Sequence, residues 1–144
     1  MTMNLMIPLL LAATFGLLSL LHAYWACGGA WGKGVAVPER NGRAAFKPSR
    51  LATTLVAIGL ANCAVLVAAL ADWLALPLSL GVLRVLGQVV AGLFLVRAIG
   101  DFRLVGFFKR VRGTRFADFD TSFYSPLCLA LALGVLWLLH RGRA

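Results

Sequence analysis

The sequence predicts an all-α protein, a four-helix transmembrane bundle with both termini on the extracytoplasmic side. Three observations carry that prediction. Hydrophobic residues make up 61% of the 144 and charged residues only 13%, whereas a soluble domain carries about a quarter charged residues. Four apolar runs are each near the ~20 residues that span a bilayer core as helix. The basic residues are also unevenly placed. Ten Lys and Arg fall in two segments, 27–50 and 101–121, against Arg84, Arg141 and Arg143 on the other side. Basic loops stay cytoplasmic, so those two segments are expected inside. The chain forms a single membrane domain, 1–144.

The first span is expected at 5–26, where His22 and Tyr24 are the only ionisable groups. It resembles a secretory signal only in hydropathy. No Lys or Arg precedes it, and Tyr24 and Trp25 stand where a cleavage site needs small residues. A retained helix is therefore expected. The second span, 51–71, has no charge, and the third, 78–100, contains Arg84, Gln88 and Arg97. The short link between them makes an antiparallel hairpin. The fourth is expected at 122–140, with Asp120, Thr121 or Ser122 as N-cap and Pro126 in the first turn. Small residues recur at spacing four: Ala12/Gly16, Gly59/Cys63, Gly87/Ala91 and Ala130/Gly134. Such pairs let helices approach closely in lipid. Asn62 and Gln88, near mid-depth, are expected to hydrogen-bond between helices. In segment 27–50, Pro38, Asn41-Gly42 and Pro48 signal turns. Segment 101–121 mixes aromatics and bases without a helical stripe and reads as interfacial.

The net charge of +9 is explained by topology and by contact with anionic lipid, so no nucleic-acid partner is expected. The partners expected are anionic membrane lipids and a membrane protein or second copy of the chain. None of the five acids, Glu39, Asp72, Asp101, Asp118 and Asp120, lies mid-membrane. That weakens a proton-driven transporter, which wants an intramembrane carboxylate. "CGGAWGKG" lacks the first glycine and the final Ser/Thr of a phosphate loop. His22 and His140 fall at opposite membrane faces, too far apart to share a haem. Cys27, Cys63 and Cys128 show no metal-ligand spacing and are expected as free thiols. No metal or cofactor is expected.

The remaining unusual residues converge on the cytoplasmic face. His22, Tyr24 and Trp25 end the first helix. Arg97, Asp101, Arg103 and Lys109 end the third and follow it. Tyr124 opens the fourth. Arg97 and Asp101 are four apart and spaced to pair. Tyr24, Trp25, Arg97, Arg103, Lys109 and Tyr124 are the candidates for holding an anionic amphiphile or a partner segment. His22 and Asp101 are the candidate acid–base residues if the protein is instead an enzyme on a lipid-like substrate. A transporter ranks third.

Two motifs give the chain a family likeness. "LHAYWACGGAWG" followed by "VP", and the long "RAIGDFRLVGFFKRVRGTRFADFDTSFYSPLCL", resemble a family of small bacterial membrane proteins known as a domain of unknown function. The second motif is the more specific, and the likeness covers nearly the whole chain. It implies four helices and a bacterial inner membrane. It brings no activity and no catalytic residues.

Overall fold

The computed structural model describes residues 3–40 and 43–141. Four of its helices are long and apolar enough to cross a membrane. The first is α1 (Met3–Ala26), then α2 (Lys33–Ala36), a one-turn helix in the first basic loop. Strands β1 (Glu39–Arg40) and β2 (Arg43–Ala44) pair as a minimal antiparallel hairpin. The Asn41-Gly42 turn expected between them lies outside the described residues. The second and third long helices are α3 (Arg50–Leu70) and α4 (Leu80–Ile99). The last is a continuous rod: α5 (Arg115–Phe119), a π-helical turn (Asp120–Tyr124) and α6 (Ser125–Arg141).

The two middle spans begin at serine caps. Ser49 Oγ accepts from the Ala52 N–H at 3.1 Å, and Ser79 Oγ from that of Val82 at 3.4 Å. The fourth rod starts further upstream than the 122 expected. Thr114 Oγ1 caps it, accepting from the Ala117 N–H at 3.1 Å. The residues expected as caps lie inside the rod, and the Thr121 and Ser122 hydroxyls donate back to Ala117 O and Asp118 O. Pro126 explains the π-helical turn before it. Its ring crowds the carbonyl four residues back and offers it no N–H, and a widened turn accommodates both. Pro8 inside α1 deprives the Asn4 carbonyl of its donor in the same way. The Arg141 guanidinium supplies one instead, tying the start of α1 to the end of α6.

The bundle is built from two close pairs, α1 with α3 and α4 with α6. Phe15 of α1, fully buried, meets Phe94 of α4 edge-on, with centroids 5.3 Å apart, and Leu60, Val67, Ala91, Leu131 and Val135 complete the core. Two small residues do what their spacing predicts. A Cβ at Gly134 would sit 2.8 Å from Leu11 Cδ2, and one at Gly87 would sit 2.9 Å from Leu139 Cδ2. Gly16 and Gly59 face open space. In the middle of the α1–α3 pair an interhelical polar bond comes from Ser19, whose Oγ donates to Ala57 O at 2.8 Å. It does not come from the expected amides: Asn62 donates to Ile58 O of its own helix, and Gln88 is exposed.

Candidate functional site

At the end of the bundle that carries the basic loops, one carboxylate joins three elements. Asp120, in the π-helical turn, is completely buried. Its Oδ1 accepts from Arg97 Nη2 of α4 at 2.8 Å. Its Oδ2 accepts from the Gly106 N–H at 2.7 Å and from Lys109 Nζ at 3.0 Å. Lys109 is 3% exposed, and its three protons are all taken, the other two by Gly106 O at 3.1 Å and Thr121 Oγ1 at 2.6 Å. The π-helical turn is what allows this. Local widening turns side chains off the ordinary helical register, and such turns concentrate at functional sites.

The Arg97–Asp101 pair expected from spacing does not form. Gly100, at φ 93°, ends α4 and turns the chain away. Asp101 Oδ1 instead accepts three backbone N–H bonds, from Arg103 at 2.9 Å, Leu104 at 2.7 Å and Val105 at 3.0 Å. Slight burial pushes the Asp101 carboxyl up. The three N–H donors outweigh it and hold the group below its ordinary 3.8. The sign follows: the turn gains stability from the ionised acid above the unfolded pKa and loses it as pH falls through the lowered folded value. Amide exchange at Arg103–Val105 is therefore expected to be slowed near neutral pH. That protection should vanish only at a pH below 3.8, and Asp101→Ala should remove it at every pH. Unchanged exchange in that variant would contradict the assignment.

One Asp faces two cations, so the cluster carries a net positive charge. Arg97 holds the surplus. Its side chain is one-third exposed, yet its Nη1 is buried without a hydrogen-bond partner. Ser125 Oγ, at the start of α6, is also buried and unpartnered. Arg97 lines a cavity of about 620 Å³ enclosed by all four long helices and the first loop. His22, Trp25, Tyr124 and Cys128 line it too.

His22 Nδ1 lies 2.7 Å from Leu18 O. A carbonyl only accepts, so Nδ1 carries a proton, which leaves Nε2 as the ring nitrogen for any further partner. The Trp25 ring packs edge-on to His22 at 5.0 Å and donates from Nε1 to Trp31 O at 2.8 Å. Tyr124 donates to Val35 O at 3.3 Å and packs among Phe116, Phe119 and Phe123.

The structure thus gathers His22, Trp25, Arg97 and Tyr124 around one cavity. Tyr24 lies elsewhere, with its ring filling the space over Gly29 and its hydroxyl accepting from the Trp31 N–H at 3.4 Å. Arg103 and Asp101 are exposed in the second basic loop. Lys109 sits within the buried cluster. Sequence reasoning placed Asp120 at the inner start of the fourth span and read it as an N-cap, not as the partner of Arg97, and it weighed Cys128 only as a metal ligand. The one available signal for Asp120 was an acid set among the aromatics of "ADFDTSFY". No group of three or more His, Cys, Asp or Glu able to hold a metal occurs among the described residues.

The profile of a family described as "Protein of unknown function (DUF3995)" matches residues 15–135. The chain belongs to the DUF3995 family. No curated protein and no solved structure matches it. The matched stretch of this DUF3995 member includes every residue of the carboxylate cluster and of the cavity wall.

Proposed function

We propose that this multi-pass membrane protein binds an anionic amphiphile at the cytoplasmic face, with Arg97 as the anion-holding group. The observation that carries the reading is the orphaned Nη1 of Arg97 beside an apolar cavity. A buried charged donor without an acceptor is costly, and an anionic oxygen bonded to it would remove that cost. Trp25 and Tyr124 would flank the head group, while Lys109 and Asp120 hold Arg97 in place. Tyr24 and Arg103 would act at the rim. The charge bias supports both termini lying outside, and the likeness to small bacterial proteins supports the inner membrane. His22, on the wall of the same cavity with its Nδ1 engaged by Leu18 O, favours one second reading, an enzyme using His22 as base on that amphiphile. His22→Ala would then keep the ligand and lose its turnover.

The test is native mass spectrometry of the protein purified in mild detergent. A stoichiometric anionic amphiphile is expected, held about tenfold less well by Arg97→Gln, given the ~1.5–3 kcal/mol of a charge-assisted hydrogen bond. That variant keeps the Asp120–Lys109 pair and should remain folded. A bare wild-type mass, or full retention by Arg97→Gln, would refute the proposal.

A further inference from the structure

A second cavity, about 650 Å³, runs between α3 and α4 along the side of the bundle. It exists because the close helix pairs are α1 with α3 and α4 with α6, leaving the α3–α4 hairpin splayed. Its walls are apolar, including Leu66, Leu83 and Val90, and Gly59 leaves a gap in the α3 side. Any groove facing hydrocarbon fills with lipid tails. What distinguishes this one is where it ends. Leu60, Phe94 and Arg97 line both this groove and the inner cavity. The two spaces share a wall that includes the cation.

We infer that the groove holds the single hydrocarbon chain of the amphiphile whose head sits at Arg97, and that the ligand reaches Arg97 sideways from the bilayer. The inference rests on the head-group reading above. The length suits a hydrocarbon chain. From Leu83 to Arg97 the groove follows 14 helical steps of α4, about 21 Å, which is more than half the ~30 Å hydrocarbon core. The charge fits as well, because among the side chains of the groove wall only Arg97, at its inner end, belongs to the Lys, Arg, Asp and Glu set, and Asn62 and Cys63 are the other polar ones. A soluble anion would gain nothing from the apolar length. A partner helix, ~10–12 Å across, could lie along α3 and α4 but could not pass Leu60 and Phe94 into the inner cavity.

The experiment offers hexadecyl phosphate and butyl phosphate to the purified full chain and reads retention by native mass spectrometry. Wild type is expected to retain the long chain about tenfold or more over the short. Gly59→Trp should erase that preference while leaving butyl phosphate retention unchanged. A Cβ there has nothing within 4 Å and Gly59 lines the groove, so the indole has the groove to enter. Val89→Trp, on the opposite wall and exposed, should do the same. Arg97→Gln should weaken both ligands. If both tryptophan variants keep the preference, the chain lies elsewhere and this inference fails while the head-group site stands. If wild type holds neither phosphate, both fail. If Gly59→Trp instead splits a dimer, the groove is a helix contact and the inference is overturned.

Discussion

Asp120→Ala is expected to cost about 3–5 kcal/mol of folding stability, the penalty for stranding buried charge. The substitution removes four things at once. Lys109, 3% exposed, loses its counter-ion. Arg97 loses the one acceptor it has, the Gly106 N–H loses its partner, and the cluster rises from one net positive charge to two. Asp120→Asn should be milder because it keeps volume and one acceptor oxygen, yet it too leaves both cations without an anion. The measurement is unfolding in mixed micelles titrated with sodium dodecyl sulfate, followed by circular dichroism. Adding Lys109→Met to Asp120→Asn should recover part of the loss, since one stranded charge disappears. A loss under about 1 kcal/mol in Asp120→Ala, the scale of an exposed pair, would show that the cluster is hydrated and does not hold the loop.

The second large effect is at Gly100 and Gly106. Both have positive φ, 93° and 88°, and their backbones touch. A Cβ at Gly100 would fall on the Val105 carbonyl, and one at Gly106 on Ile99 O and the Gly100 Cα. This crossing lets the Phe107 N–H reach Ala98 O at 2.8 Å and cap α4. Alanine at either position adds the left-handed penalty, about 1–2 kcal/mol, to a clash with unyielding backbone, about 1–3 kcal/mol. The expected loss is therefore about 2–5 kcal/mol. Gly113→Ala separates the two causes. Gly113 has φ 76° but open space around it, so only the conformational part should appear, about 1–2 kcal/mol. If all three alanine variants lose the same amount, the crossing is not the constraint described.

The four spans were legible because hydropathy sums over some twenty residues and forgives local detail. The gathering of His22, Trp25, Arg97 and Tyr124 at one end was legible in part, because the alternation of spans puts those helix ends side by side. The partner of Arg97 was not. Spacing along a helix finds Asp101, four residues away, but the contact made is with Asp120, twenty-three residues on. Only the reversal at Gly100 and the π-helical turn decide between them, and neither leaves a periodic mark. The enclosure of Lys109 against Asp120 was hidden for the same reason. In a loop rich in Lys and Arg, nothing local says which cation will be enclosed.

The order of the three charges along the chain has a consequence for biogenesis. Synthesis runs from the N-terminus, so Arg97 and Lys109 leave the ribosome before the acid that neutralises them. Until Asp120 is made, both cations lack the carboxylate they contact in the folded chain. The buried contacts of the loop therefore cannot form before the start of the fourth span has been synthesised.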